Sequence, residues 1–138
     1  FEITESGFVS GEAASAETLR LVRQEGGRLA LDDFGTGYSS MDYLRRLPLD
    51  ELKIDKSFVD RISVSESDRA IVELMVRIAH TFDLEVVAEG VESVEAEAAL
   101  SLMGCDLAQG YLYAPPMPVA EFVAWWNGVE AAVPAAGC

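Results

Sequence analysis

The chain has 138 residues, half of them apolar, and a formal charge of −14 at neutral pH. One ordinary domain with a sizeable core fits that length, the apolar share argues against a disordered chain, and no run approaches the roughly 18 uninterrupted apolar residues of a membrane-spanning helix. The negative charge repels polyanions, so a nucleic-acid polymer is not an expected partner, whereas a small phosphate ligand stays open if cations mediate the contact.

Five segments are predicted as strands, separated by stretches of helical periodicity. Phe1–Thr4 is the first strand, Ala14–Gln24 (with Leu19, Leu21 and Val22) a helix, and Gly26-Gly27 the turn into a second strand, Leu29–Phe34. Glu51–Phe58 is the third strand. Ser65–Phe82 is the clearest helix: Ile71, Leu74, Met75, Ile78 and Phe82 fall on one face, Ser63-Val64-Ser65-Glu66 makes a capping box, and Asp83 is placed to end it. Glu85–Val91 is the fourth strand, Ser93–Met103 a helix turned by Gly104, Asp106–Tyr113 the fifth strand and Val119–Val129 the last helix.

Alternation of this kind implies parallel strands joined by crossovers. A dinucleotide-binding sheet is the usual competitor, but Gly35-Thr36-Gly37-Tyr38-Ser39-Ser40 lacks the third glycine of its fingerprint. Polar residues instead recur at the C-terminal ends of strands: Glu2 and Glu5, Asp32 and Asp33, Lys53 and Asp55, Glu89 and Glu92, Gln109. (β/α)-barrels place their chemistry there, and a whole barrel typically needs about 250 residues. The expected fold class is therefore α/β, a (β/α)-barrel of TIM type present as a partial barrel of about five βα units. Phe1 already lies in a strand-like segment, so the chain reads as the latter part of something longer.

The acids carry the chemistry. Glu2, Asp32 and Glu89 lie in or at the end of apolar strands, where an unpaired charge is expensive. On neighbouring parallel strands they converge at one rim, and an oxygen-rich cluster suits magnesium or manganese, not zinc. Asp33 adds a second carboxylate beside Asp32, and adjacent strand residues point to opposite faces. Lys53, with Leu52 and Ile54 pointing the other way, faces the same interior as the acids; ion pairs with Asp32 or Glu89 are the simpler reading of it. Gln109-Gly110-Tyr111 offers an amide beside a glycine that permits close approach. His80 sits on the long helix as a structural or surface residue, and one of Trp125 and Trp126 packs inward. Cys105 reads as a buried thiol, neither cysteine has zinc spacing, and a reducing, cytoplasmic setting is the default.

Five motifs in this order resemble EAL-domain proteins: Glu2-Ile3-Thr4-Glu5-Ser6, Asp32-Asp33-Phe34-Gly35-Thr36-Gly37-Tyr38-Ser39-Ser40, Lys53-Ile54-Asp55, Ala88-Glu89-Gly90-Val91-Glu92 and Gln109-Gly110-Tyr111. The resemblance implies the C-terminal portion of such a domain over residues 1–131, with 132–138 a tail. It implies hydrolysis of cyclic di-GMP to the linear dinucleotide pGpG with two Mg²⁺ or Mn²⁺ ions per site. Glu2, Asp32 and Glu89 then resemble metal ligands, Asp33 the ligand of a second metal, and Lys53 and Glu89 the catalytic pair, with Lys53 helping to activate or position the attacking water. Gln109 resembles an amide that orders water and metal, and Glu5 and Glu92 resemble carboxylates that hold the loop formed by Phe34, Gly35, Thr36, Gly37, Tyr38 and Ser39. A homodimer, or fused sensor and GGDEF-type domains in a parent protein, are the implied protein partners.

The sequence departs from the family in three places. The Glu-Ala-Leu motif and an asparagine from an earlier strand are absent, and Ala114-Pro115-Pro116 stands where a basic residue often precedes proline. Both missing side chains are metal ligands in the resemblance, so this piece alone is expected to be inactive, with open strand edges at Phe1–Thr4 and Asp106–Tyr113. Two other readings stand beside the enzyme: a non-catalytic cyclic di-GMP-binding or regulatory module, and a dimerisation scaffold without nucleotide, which has no need of Lys53 and the acidic set.

Overall fold

The computed structural model describes residues 1–4, 16–36 and 41–132. Five parallel strands lie side by side in chain order: β1 (Glu2–Thr4), β2 (Ala30–Phe34), β3 (Glu51–Ile54), β4 (Glu85–Ala88) and β5 (Leu107–Ala108). Each strand pairs with its predecessor, so the order never reverses as it does at the switch point of a doubly wound sheet. The crossovers carry α1 (Ala16–Gln24), α2 (Met41–Arg46), α3 (Lys56–Val59), α4 (Glu66–Thr81) and α5 (Val94–Met103), and α6 (Val119–Ala132) follows the last strand. Among the described residues no helix is long and apolar enough to cross a membrane.

Strand register sorts the side chains into two faces. Leu31, Leu52 and Val86 lie level across three strands, and Ile54 lies level with Ala88. With Ile3 they form the face that packs on the helices, against Leu19, Val72, Val76, Ala79, Ala96 and Leu100. Burying each Leu, Ile or Val of that set contributes about 1.5–3 kcal/mol. The alternate residues Ala30, Asp32, Lys53 and Val87 fall on the other face.

Local chemistry moves several predicted boundaries. The third strand stops at Ile54 because Asp55 caps a helix: its carboxylate accepts the Ser57 amide hydrogen bond at 3.0 Å, and α3 begins at Lys56. The fourth strand ends at Ala88, and the fifth shrinks to two residues that pair, among the described residues, with β4 alone. The last helix extends past Val129 to Ala132, while the short α2 and α3 have too few turns to show periodicity. On α4 the cap is Ser65, which accepts from the Asp68 amide, so the predicted box from Ser63 to Glu66 is displaced by two residues. Its buried stripe is Val72, Met75, Val76 and Ala79; Ile71 and Leu74, expected inside, are exposed. Both stripes are apolar, and contact with β3 and β4 selects one of them. Asp83, at φ +57°, does end this helix.

Candidate active site

Lys53 is the centre of the site. It is the one buried charged residue among those described, with its side chain 7% exposed. Three carboxylates, two from other strands and one just past β4, meet its ammonium: Glu89 Oε1 at 2.6 Å, Glu2 Oε1 at 2.8 Å and Asp32 Oδ1 at 3.4 Å. Strand alternation brings Asp32 and Lys53 to one face, and Glu89 follows β4 with its amide bonded to the Ile54 carbonyl at 3.1 Å. Glu2 arrives differently from the expectation. It opens β1, level with Ala30, and spans the remaining distance by the length of its side chain. Burial works to lower the Lys53 pKa, but hydrogen bonds to Glu2 and Glu89, with the charges of Glu89 and Asp32, outweigh it and hold the ammonium well above its ordinary range. The hydrogen bond from Lys53 in turn lowers the pKa of Glu2.

The adjacent acids are accommodated by a break in the ladder. Register slips between Leu31 and Phe34, and Asp33 takes φ +58°, a left-handed conformation that aspartate tolerates better than most residues. Its amide bonds Asp32 Oδ1 at 3.1 Å, and its carbonyl accepts from Thr36 N and Oγ1 at 3.2 and 2.9 Å, closing the turn after β2. Phe34 belongs to β2 and the core rather than to the loop. Gly35 is favoured by its φ of +96°, which L side chains rarely adopt; a Cβ there would meet the movable tip of Met75 and the Phe58 ring at 3.1–3.2 Å. Gly37, Tyr38, Ser39 and Glu5 lie outside the described residues.

Gln109 is held by its backbone beside the end of β4, with no contact among the described residues between its side chain and the Lys53 cluster. Its amide bonds the Ala88 carbonyl at 2.8 Å and its carbonyl accepts from Val91 N at 3.0 Å. Its side chain is exposed and lines a groove of about 940 Å³ with Tyr111, Tyr113, Pro115, Phe122 and Trp125. Trp125 is half-buried and Trp126 exposed; neither joins the core, and Trp125 lines the groove rather than packing inward as expected. Glu92 pairs with Lys56 at 2.6 Å, and this bond raises the Lys56 pKa. Lys56 is the residue of the rim that sequence reading missed; its only signal is its place just after the helix-capping Asp55.

The donor set suits a hard divalent cation. Three carboxylates against one ammonium leave two negative charges around the buried lysine, and all the donors are oxygens. Among the described residues no three such groups stand ready-made around a common point; the carboxylates converge on the ammonium instead.

The EAL family model matches residues 1–116. The chain belongs to the EAL-domain family. The cyclic di-GMP phosphodiesterase RocR of Pseudomonas aeruginosa is 42% identical over 128 residues, 93% of this EAL chain and 33% of RocR. The structure of the PaMucR phosphodiesterase in complex with c-di-GMP matches with TM-score 0.80 and 40% identity, covering 88% of this chain and 49% of that one. The manganese and cyclic di-GMP complex of Klebsiella pneumoniae BlrP1 matches with TM-score 0.76 and 37% identity over 83% of this chain and 29% of that one. The chain spans between 15% and 33% of the length of the first curated relatives it matches. Its fold is that of these EAL domains, a TIM-type barrel of which it holds five strands.

Proposed function

We propose that this chain carries the Lys53-centred part of a cyclic di-GMP phosphodiesterase site, which hydrolyses the cyclic dinucleotide to pGpG with two divalent cations. The observation that carries the reading is the buried Lys53 ammonium held among Glu2, Asp32 and Glu89. A scaffold has no use for so costly an arrangement, whereas a phosphodiester reaction needs it. Glu2, Asp32 and Glu89, with Asp33 at the strand end, would hold Mg²⁺ or Mn²⁺, which supplies charge neutralisation and an acidified water at the phosphodiester.

The chain's own groups have defined tasks in this reading. Lys53, as an ammonium, donates hydrogen bonds and removes no proton, so it orients a water or offsets charge on a phosphoryl oxygen. Glu89 and Glu2 aim that ammonium, and Gln109 presents an amide from the next strand. Turnover in this reading also draws on ligands from three further βα units, including the glutamate of the Glu-Ala-Leu motif. The 138-residue chain by itself is then expected to bind without hydrolysing, in a cytoplasmic setting. Fused signalling domains or a second copy are the proposed protein partners.

One observation favours the second reading, a non-catalytic binding or regulatory module. The ammonium already pairs with all three carboxylates, and no open cluster of three acids stands among the described residues. Mixing the purified chain with cyclic di-GMP, with Mn²⁺ and in EDTA, and scoring binding and pGpG formation separately, tests both readings: binding that persists undiminished in EDTA favours the second. Nucleotide binding that needs Mn²⁺ and weakens in Glu89→Ala is the expected result. Turnover abolished by that substitution marks the chain as a sufficient enzyme, and a folded chain that does neither overturns the proposal.

A further inference from the structure

The segment that follows Glu89 is held from two sides. On one side, Gly110 presses on the backbone of Val91 so closely that a Cβ there would lie 2.1 Å from the Val91 oxygen and 2.3 Å from its nitrogen. Val91 N donates to the Gln109 carbonyl and Leu112 N to the Val91 carbonyl, both at 3.0 Å. On the other side lies Lys56. Asp55 caps α3 and turns the chain out of β3, and the aliphatic stem of Lys56 then runs across Gly90. A Cβ on Gly90, itself at φ +70°, would lie 2.4 to 2.7 Å from Cγ, Cβ and Cδ of Lys56. Beyond the stem, Lys56 Nζ reaches Glu92 Oε1 at 2.6 Å and Asp60 Oδ1 at 4.0 Å.

We propose that Lys56 is a positioning residue for Glu89: its stem and its ion pair strap Gly90–Glu92 against the segment after β5 and so fix the carboxylate that meets Lys53. The strap joins two loops of the rim. It begins three residues after Lys53 and ends three residues after Glu89, so the two groups in contact at 2.6 Å are tied a second time just outside the sheet. An exposed ion pair adds little global stability, so the strap acts on local geometry. Its meaning for catalysis rests on the phosphodiesterase reading, but the contact itself is tested without metal or nucleotide.

The test uses the full chain labelled with ¹⁵N. Amide exchange is followed at Val91, and at Val86 near the start of β4 as an internal control, together with the Lys53 side-chain ammonium resonance. Lys56→Ala removes stem and charge, Lys56→Met keeps most of the stem, and Glu92→Gln removes the pair from the other side. All three are expected to speed exchange at Val91 by roughly two- to five-fold, the range an exposed pair and a local opening support, with Val86 unchanged. Each also shifts the Lys53 ammonium signal, and Lys56→Arg restores both readouts. Unchanged exchange and an unmoved Lys53 signal in Lys56→Ala and Glu92→Gln would overturn the proposal. So would a uniform rise at Val91 and Val86, which marks global loosening. Failure to bind Mn²⁺ or cyclic di-GMP bears on the phosphodiesterase reading and leaves these readouts to decide the strap.

Discussion

At the N-terminal ends of the strands three carboxylates each have a side-chain partner of their own, whereas at the C-terminal rim three carboxylates share one ammonium. Asp50 lies 2.7 Å from Arg23, Glu85 2.5 Å from Arg28 and Asp106 2.9 Å from His80 Nε2. Asp50 and Asp106 also accept the Leu29 and Val86 amides at 2.9 and 2.8 Å, stapling adjacent strands. Around Lys53 an excess of negative charge persists after the ammonium has met all three carboxylates. Barrel enzymes divide stability and chemistry between their two ends in this way, and here the division is visible as a charge count.

The sharpest challenge to the comparison is geometric. Gly110→Ala should destabilise the chain by about 3 kcal/mol, because the Val91 backbone cannot move aside as a flexible side-chain tip would; urea unfolding measures it. Lys53→Met comes next, at about 2 kcal/mol in EDTA, since removing one partner of a buried pair is costly but Glu2 is 59% exposed and screened. If Mn²⁺ recovers part of that loss, the rim is a cation site in the sense argued. Asp106→Ala, at the opposite end, should cost about 1–2 kcal/mol by orphaning the Val86 amide and releasing His80, with no response to Mn²⁺. Arg28→Ala should cost less than about 1 kcal/mol and fade with added salt, as an exposed pair does.

Titration separates the ends as well. Burial works to raise the Asp106 pKa, but its bonds to His80 and the Val86 amide overcome it, and Lys53 lowers that of Glu2. Both carboxyls therefore add stability that is present above their ordinary range and lost as pH falls through the lowered folded values. Lys53 has the opposite sign. Its contribution is complete below the ordinary lysine pKa and is lost as pH rises through the higher folded value. Alkaline titration of stability should thus lose a component in Lys53→Met and keep it in Asp106→Ala.

Most of this arrangement was legible from residue types alone. The βα alternation, and the placement of Asp32, Lys53 and Glu89 at strand ends, follow from period-two burial, so the sequence alone puts Lys53 on the acids' side of the sheet. What escaped depends on single atoms. That Asp55 accepts an amide and converts the end of a predicted strand into α3 is a competition between cap and ladder. That Asp33 turns left-handed at a register slip is likewise invisible in the two-residue spacing. Lys56 was missed for the same reason, since its role arises only after α3 swings it over Gly90. The wrong stripe on α4 has another cause: two apolar arcs compete, and only the sheet decides between them.

Mn²⁺ binding to the full chain, followed by electron paramagnetic resonance with cyclic di-GMP present, tests the central claim most directly. Saturable binding that weakens at least about ten-fold in Glu89→Gln and is unchanged in Asp106→Asn is the predicted result. Equal affinity in Glu89→Gln and the unaltered chain, or no saturable binding in either, would contradict the assignment of the Lys53 rim as the site.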